Sequence, residues 1–290
     1  MNKVQRISSL RAAVSAARND KKTIGFVPTM GNLHEGHLEL VRVAKRRADF
    51  VVVSIFVNPT QFGKHEDLDN YPSTPEEDAR MLAELGADLL FLPDKETMYP
   101  GKLKDQTVVY VPDIGDMYCG KDRPEHFYGV TTVVSRFFNM VQPDIAVFGN
   151  KDYQQIAIIR RMVEDLAYPV QVVGVDTVRD EEGLALSSRN GYLTGIEHQL
   201  APHLQQTLQW LKQELMKFKA VKSIDFATSL EQEAKKQLEQ LGFKPQYLNI
   251  CCQQTLKPAK KGDKQLVILA AAYLGNARLI DNVEVFLDAH

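Results

Sequence analysis

Short apolar runs alternate with amphipathic stretches along the first 176 residues, and this alternation predicts strands and helices in turn. The run VVVSIFV at 51–57 is apolar on both faces, which is typical of a central parallel strand covered by helices. A strand at 23–27, ending at Pro28, and a helical pattern at 37–48 complete a βαβ unit. The first 20 residues predict an amphipathic helix, because arginines interrupt their apolar stretches.

The same rhythm continues further along the chain. Thr74 is the predicted N-cap of the next helix, with Pro75 at the first helical position and Glu77 completing a capping box, and the helix should end near Gly86. A strand at 88–92, a helix at 130–141, a strand at 145–148, a helix at 152–166 and a strand at 170–175 are expected to follow. This order predicts an α/β fold whose N-terminal domain, residues 1–176, holds a doubly wound parallel sheet of the Rossmann-like type.

The pattern changes after residue 190. Residues 199–242 are rich in Gln, Lys, Glu and Leu and predict two helices that are divided near Ser223. Strands are expected at 247–250, 265–272 and 277–281. We therefore expect a smaller α+β C-terminal domain, residues 177–290.

Composition narrows the functional classes. The chain has 290 residues and a formal net charge of −2, which disfavours a strongly basic nucleic-acid binder. No apolar run approaches the ~18 residues of a membrane span, so we expect neither nucleic acid nor membrane as a partner. Two of the three cysteines are neighbours in the sequence, so a disulfide framework is not expected and a cytoplasmic location is.

Candidate chemistry lies in three loops that follow predicted strands, where doubly wound sheets bind their ligands. In the loop at 28–37, free N–H groups at the helix start favour phosphate, and Gly31 and Gly36 allow close approach. His34 and His37 could donate hydrogen bonds to phosphoryl oxygens as these gain charge. A metal site or a structural pair are the alternatives, although a zinc site needs three or four ligands and the sequence offers no Cys/His cluster of suitable spacing.

The other two loops carry weaker signals. In 149–155, Lys151 could bind a phosphate and Gln155 could face a ligand, but Asp152 as an N-cap and Lys151 as a solvated charge explain the segment equally well. In 186–190, two hydroxyls followed by Arg189 could bind a polyphosphate, and an ordinary polar interdomain linker is the alternative.

Taken together, these loops resemble a known family. The His34-x-Gly-His37 pattern matches the HIGH-type signature of the nucleotidyltransferase superfamily, and SSRN at 187–190 stands where that superfamily has its KMSKS-type motif. Six longer strings resemble the pantoate–β-alanine ligase (pantothenate synthetase) family: PTMGNLHEGH at 28–37, SIFVNPTQFG at 54–63, YPSTPEED at 71–78, RPEHFYGVTTVV at 123–134, FGNKDYQQ at 148–155 and LSSRNGYL at 186–193.

The resemblance implies a reaction, in which ATP and pantoate form pantoyl adenylate and pyrophosphate, and β-alanine then attacks the adenylate to give pantothenate and AMP. It implies Mg²⁺ as the cofactor, ATP as a substrate and a homodimer. The implied catalytic residues are His34, His37, Lys151, Ser187, Ser188 and Arg189. Implied ATP contacts are these six with Met30, Gly31, Gly36, Gly149, Asp152, Val178 and Leu186. Pantoate would meet Pro28, Gln61 and Gln155, β-alanine would lie near Arg123 and His126, and Glu77 and Asp78 match acidic positions linked to magnesium.

Two departures and several other functions stay open at this point. The family usually has Met where Leu186 stands, a volume-conserving change, and Glu where Asn150 stands. An adenylyl- or cytidylyltransferase of the same fold would want basic residues for a phosphorylated acceptor, whereas Gln61 and Gln155 better suit a small hydroxy acid. A non-enzymatic nucleotide-binding module is a third hypothesis. A tRNA synthetase is disfavoured by the charge and by the lack of a recognisable anticodon-binding domain.

Overall fold

The structure is a computed structural model that describes residues 1–63 and 68–287. The chain divides into two compact units. The N-terminal unit comprises Met1–Asn150 and Gln155–Asp176, and the C-terminal unit comprises Lys151–Gln154 and Thr177–His290. No helix in the described ranges is both long and apolar enough to span a membrane.

A parallel sheet forms the centre of the N-terminal unit. Its six strands within the described residues are β1 Asn2–Val4, β2 Ile24–Thr29, β3 Phe50–Ile55, β4 Leu89–Phe91, β5 Ile145–Gly149 and β6 Gln171–Val175. They lie in the order β1-β4-β3-β2-β5-β6, and every neighbouring pair is parallel. The sheet grows in one direction from β2 to β3 and in the other from β2 to β5. Such a switch point opens a crevice at the carboxyl ends of the strands, where ligands bind in folds of this type.

Helices follow the strands of this sheet. They are α1 Ile7–Asn19, α2 Glu35–Arg47, α3 Pro75–Glu84, α4 Lys95–Met98, α5 Cys119–Asp122, α6 His126–Val141 and α7 Tyr153–Asp165. The buried side of α2, formed by Leu40, Val41 and Ala44, belongs to the same core as Val51 and Val53 of β3. Residues of β3 are buried on both of its faces, and the predicted doubly wound α/β sheet is thereby confirmed.

Several boundaries differ from those expected. Strand β2 does not stop at Pro28 but continues through Thr29. Proline lacks an N–H donor, and it is tolerated here because β2 pairs with β5 at Gly25 and Phe26, whereas at Pro28 it pairs with β3. Strand β1 was not predicted. Helix α6 begins at His126, a full turn before the expected start at residue 130.

The predicted capping box at the start of α3 is wrong. Thr74 makes no side-chain capping bond, and its hydroxyl instead donates to Asp78 Oδ1 at 3.0 Å. Glu77 turns to Arg80, whose Nε donates to Glu77 Oε2 at 3.0 Å. A tertiary role for Asp78, described below, explains why the local motif is not formed.

The C-terminal unit is a smaller α+β structure, as predicted. Its antiparallel sheet has three strands within the described residues, and they neighbour one another in chain order. Ser223 caps the longest helix by accepting from Phe226 N at 3.1 Å, so the chain divides where the sequence indicated. The core combines leucines of the helices, such as Leu208 and Leu238, with strand residues such as Ile268. The elements are α8 Gly195–Leu200, α9 His203–Met216, α10 Ile224–Gln240, β7 Lys244–Cys252, β8 Gln265–Leu274 and β9 Ala277–Phe286.

Candidate active site

The loop between β2 and α2 carries the two candidate histidines. Its turn needs two consecutive residues in the left-handed region, and Gly31 (φ 86°) and Asn32 (φ 50°) supply them. The backbone N–H groups of Asn32 and Leu33 donate to the side chain of Asp78. The loop thus enters the helix in one defined conformation.

The two histidines cap the helix reciprocally. His34 is the N-cap residue, and its Nδ1 accepts a hydrogen bond from Gly36 N at 3.2 Å. The Nδ1 atom of His37 accepts one from His34 N at 3.4 Å, and the ring centroids are 4.1 Å apart. Because Nδ1 acts as an acceptor in both rings, the neutral imidazoles carry their protons on Nε2. Both rings are therefore oriented as Nε2–H donors.

The two carboxylates expected at magnesium have different surroundings. Asp78 is 1% exposed, and its Oδ2 accepts from Asn32 N at 2.9 Å while its Oδ1 accepts from Leu33 N at 2.8 Å. Glu77 is exposed, and its hydrogen bonds with Arg80 lower the pKa of its carboxyl group. Asp78 is buried with three donors on its oxygens, and Glu77 is paired with Arg80, so neither carboxylate offers open access to an Mg²⁺ ion that keeps its waters. No group of three or more potential metal ligands occurs among the described residues.

Gln61 lies in a short 3₁₀ turn after β3, and a buried asparagine organises that turn. Asn58 accepts from the Thr60 hydroxyl at 2.9 Å and from the Tyr99 hydroxyl at 3.0 Å, and it donates to Gly129 O at 3.1 Å. Burial raises the pKa of the Tyr99 hydroxyl, which keeps it protonated as a donor. Sequence reasoning did not select Asn58 or Tyr99 as supports, although the Asn-Pro-Thr step after a strand is itself a turn signal.

Arg123 and His126, the residues expected near β-alanine, meet this turn from the start of α6. Arg123 donates to Gln61 O at 3.1 Å, and His126 Nδ1 lies 2.9 Å from the same carbonyl oxygen. A Cβ at Gly129 would stand 2.2 Å from Thr60 O, so glycine is required for the helix to approach the turn. Gly129 therefore lies within α6 and does not precede its start.

The end of β5 supplies the third loop of the N-terminal unit. Gly149 is its last residue, and Asn150 Nδ2 donates to Asp176 Oδ1 at 3.2 Å. A Cβ at Gly174 would lie 2.3 Å from Asn150 Oδ1, so the amide packs tightly against β6. A glutamate at position 150 would face the carboxylate of Asp176, so the departure at Asn150 suits its own neighbour. Gln155 is half-buried in α7, and Met30, Pro28 and Gly36 are half-buried at the β2 loop.

In the C-terminal unit, two candidate ATP contacts face each other across a small hairpin. Leu186 N donates to Val178 O at 3.0 Å, and Arg179 and Ala185 form an antiparallel bridge. Arg179 holds the hairpin to β9 through two hydrogen bonds with Asp281, at 2.7 and 2.8 Å. Asp281 is 5% exposed, and nothing in the sequence marked this pair as a support.

The candidate serine loop continues directly from the hairpin. Ser187 caps a 3₁₀ turn, Ser188–Tyr192, by accepting from Arg189 N at 3.2 Å, and Asn190 Nδ2 donates to Ala185 O at 3.1 Å. Lys151 and Ser187 both line a cavity of about 10 Å³ in this unit, and Asn282 Nδ2 donates to Lys151 O at 2.9 Å. Ser188, Arg189 and Asp152 are half-buried.

The candidate residues therefore form two groups, one in each unit. The carboxyl ends of the parallel neighbours β3, β2 and β5 present the first group: Pro28, Met30, Gly31, His34, Gly36, His37, Gln61 and Gly149, with Arg123 and His126 at the Gln61 turn. The second group lies in the serine loop, in the hairpin before it and in the segment at 151–154: Lys151, Asp152, Val178, Leu186, Ser187, Ser188 and Arg189.

Comparisons with known proteins agree with these motifs. The sequence model of the family described as "Pantoate-beta-alanine ligase" matches residues 2–284. A curated relative named "Pantothenate synthetase" from Pseudomonas putida (strain W619) is 54% identical over 288 residues, which are 99% of this chain and 99% of the relative.

Solved structures agree across the whole fold. The crystal structure of a pantothenate synthetase from Thermus thermophilus superposes with a TM-score of 0.89 at 43% identity, covering 99% of this chain and 100% of that one. A pantoate–β-alanine ligase from Francisella tularensis, described as complexed with β-γ ATP and β-alanine, has a TM-score of 0.80 at 32% identity and covers 100% of this chain and 99% of its own.

Proposed function

The chain belongs to the pantoate–β-alanine ligase family, and on that premise we propose that it uses ATP to join pantoate and β-alanine into pantothenate. The reaction proceeds through pantoyl adenylate and releases pyrophosphate and then AMP. A carboxylate is a poor acylating agent, and adenylation gives it a good leaving group. The enzyme must therefore stabilise charge at the α-phosphate and hold the pantoate carboxylate in line.

The reciprocal histidine cap is the observation that carries this proposal. Backbone donors to Nδ1 of His34 and His37 support a single tautomer of each neutral ring, with the proton on Nε2. Two fixed neutral donors suit an α-phosphoryl group whose oxygens gain charge as the carboxylate attacks. Met30, Gly31, Gly36 and Gly149 are assigned to the same nucleotide through the loops that contain them.

Pantoate is assigned to the Gln61 side of the N-terminal unit. The amides of Gln61 and Gln155 can both donate to and accept from the pantoate hydroxyls and carboxylate, with Pro28 beside them. The contacts of Arg123 and His126 with Gln61 O support a role for these two residues on the β-alanine side that acts through the turn.

The outer phosphates of ATP are assigned to the C-terminal unit. Lys151 and Arg189 supply positive charge, and Ser187 and Ser188 supply hydroxyl donors. Val178, Leu186 and Asp152 complete the nucleotide contacts. In this proposal residues 1–176 bind nucleotide and pantoate, and residues 177–290 act as a lid over the phosphates.

Mg²⁺, a homodimer and a cytoplasmic location complete the proposal. Mg²⁺ commonly binds through substrate phosphates and water with few protein ligands. We assign it to the ATP phosphates, because Asp78 and Glu77 do not fit as its ligands, and no step here depends on it.

For the dimer, Val108 is 57% exposed and Tyr128 is 36% exposed beside the stacked ring of Tyr110. Light scattering on a Val108→Asp variant would test this surface: a monomeric variant of a dimeric parent supports it.

The experiment that tests the reaction separates its two halves. ATP and pantoate without β-alanine should release about one pyrophosphate per site, and AMP should appear only when β-alanine is added. Omitting pantoate is the control and should release neither product. Pyrophosphate and AMP that appear together, and strictly require β-alanine, would contradict a stable adenylate.

A further inference from the structure

The turn before the histidines has the geometry of an anion-binding concavity. Gly31 and Asn32 both have positive φ in this turn, and the next two backbone N–H groups, those of Asn32 and Leu33, point to one carboxylate, as the amides of anion-binding turns do. Here the anion comes from the protein itself, because the N–H groups of Asn32 and Leu33 each donate to a different oxygen of Asp78. The carboxylate reaches them across 45 residues of sequence.

The surroundings of Asp78 leave it suited to this task. Its side chain is buried, and the Thr74 hydroxyl adds a third hydrogen bond at 3.0 Å to Oδ1. The turn also packs closely on the carboxylate, since a Cβ at Gly31 would stand 3.2 Å from Asp78 Oδ2 and 3.0 Å from the Ile55 side chain. Three hydrogen bonds occupy the carboxylate and the residue is 1% exposed, so Mg²⁺ with its bound waters could reach these oxygens only by opening the packed turn.

We propose that Asp78 is a positioning residue and not a magnesium ligand. Its carboxylate is an internal anion that fixes residues 30–34, the histidine loop between β2 and α2. His34 follows Leu33 directly, so the carboxylate determines where the first turn of α2 begins and where the two rings point. Its effect on catalysis passes through His34 and His37. The turnover, pantoate-binding and Mg²⁺ measurements below rest on the proposed function, whereas the exchange measurement needs no activity.

The main test uses Asp78→Asn, which keeps the size of the side chain but places an NH₂ group against a backbone N–H donor. Turnover should fall about 10²-fold, because small misplacements of catalytic groups have effects of this size. The dissociation constant for pantoate should stay the same. Backbone amide hydrogen exchange of a peptide covering residues 30–34, measured by mass spectrometry without ligands, should become faster. The Mg²⁺ concentration for half-maximal activity at saturating ATP should not change.

Two controls keep the proposal testable if Asp78→Asn fails to fold. Thr74→Val removes the third hydrogen bond and should show a weaker form of the same defect, whereas Thr74→Ser retains the hydroxyl and should behave like the parent. Glu76→Gln removes an exposed carboxylate from the same helical turn and should leave turnover, exchange and Mg²⁺ activation unchanged.

The alternative makes opposite predictions. A Mg²⁺ requirement that rises several-fold in Asp78→Asn, with turnover restored by excess Mg²⁺, would overturn the proposal. Unchanged exchange at residues 30–34 in Asp78→Asn, or in Thr74→Val if Asp78→Asn does not fold, would overturn it as well. If the wild-type chain released no pyrophosphate, the proposed function would fail, while faster exchange in the variant would still support the anchoring role.

Discussion

The two groups of candidate residues differ in how they provide hydrogen-bond donors. The N-terminal unit presents neutral rings and amides, and backbone or buried side-chain contacts fix their position. His34 and His37 cap each other, and Asn58 holds the turn that carries Gln61. The C-terminal unit presents cationic side chains, Lys151 and Arg189, on short 3₁₀ turns.

This difference separates two chemical tasks. Neutral donors in a fixed geometry add no net charge but can favour a transition state over a bound substrate. Cations attract the charge of a polyphosphate throughout binding and therefore affect affinity more. Substitutions in the N-terminal unit should accordingly change kcat or the KM for pantoate, and substitutions in the serine loop should change the use of ATP.

The histidine loop should give the largest effect. His34→Ala or His37→Ala should lower kcat by about 10²–10³-fold, because each removes a donor to the developing charge. His34→Asn is a sharper variant, since asparagine is a good N-cap and can keep the helix start while the ring is lost. Steady-state kinetics and pantoate titration measure both quantities.

His198→Ala is the matched control, because His198 is exposed on α8 and should have no effect. Near-normal turnover in all three histidine-loop variants would contradict the claim that the N-terminal unit supplies the donors to the transition state.

The serine loop should give the second largest effect. Arg189→Ala should lower kcat/KM for ATP by roughly 10–100-fold, as expected for a lost charge-assisted hydrogen bond of about 1.5–3 kcal/mol. Attack by β-alanine on isolated pantoyl adenylate should change little, because pyrophosphate has by then departed. Single-turnover measurements separate the two steps, and Arg189→Lys tests charge without the guanidinium fork. An equally large defect in the second step would assign the loop to the intermediate instead.

Gln61 should give a smaller and more selective effect. Gln61→Ala should raise the KM for pantoate about tenfold, because a lost partner for a buried hydroxyl costs about 1–3 kcal/mol. The turn should persist, since Arg123 and His126 bind the backbone carbonyl and not the side chain. Isothermal titration with each substrate measures the selectivity. Equal weakening of ATP and pantoate would mean that Gln61 organises both sites.

The smallest expected effect lies in the core of the C-terminal unit and should not involve activity. Glu231 is buried and accepts from Ile250 N at 2.7 Å, and burial raises the pKa of its carboxyl group above 4.5. The pKa of Glu231 is higher in the folded than in the unfolded state, so the folded protein is more stable at low pH, where the carboxyl group is protonated. This stability is lost as the pH rises through the pKa of the folded state.

Glu231→Gln should remove the loss of stability at higher pH, because glutamine stays neutral and its side-chain oxygen can still accept a hydrogen bond from Ile250 N. Urea unfolding should show a more stable variant at pH 7 and no difference near pH 4. Glu233→Gln, at an exposed position of the same helix, is the control. A variant that is less stable than the parent at pH 7 would contradict the prediction.

The sequence predicts the parallel sheet well because its strongest signals are local. The run containing β3 is apolar on both faces, and each loop of interest follows such a run. Strand β1 has three residues and gains its structure by pairing with β4, so no local pattern indicates it. The expected start of α6 at residue 130 is four residues late, and Gly129 lies inside the helix, where it allows the close approach to the Thr60 carbonyl.

The candidate site, like the fold, is predicted from the sequence where its signals are local and is missed where its contacts are long-range. The spacing of His34 and His37 indicates a shared helical turn, and the structure places them there. The anchoring contacts of Asp78 join segments about 45 residues apart, and those of Arg179 with Asp281 join segments 102 residues apart. Such contacts depend on the finished fold. The predicted cap of Thr74 with Glu77 is absent because Thr74 binds Asp78, which the backbone of Asn32 and Leu33 holds in place, and Glu77 binds Arg80.

The sheet order has a consequence for the chain as it leaves the ribosome. The contact of β2 with the β3 side spans 26 residues, as between Thr23 and Asp49, whereas the contact on the β5 side spans 120, as between Ile24 and Asp144. Pairing over short separations forms sooner, and chains emerge at about 5–20 residues per second. The histidine loop is therefore expected to form against β3 several seconds before β5 arrives, so nascent chains halted before residue 145 should contain that loop without the opposite wall of the crevice.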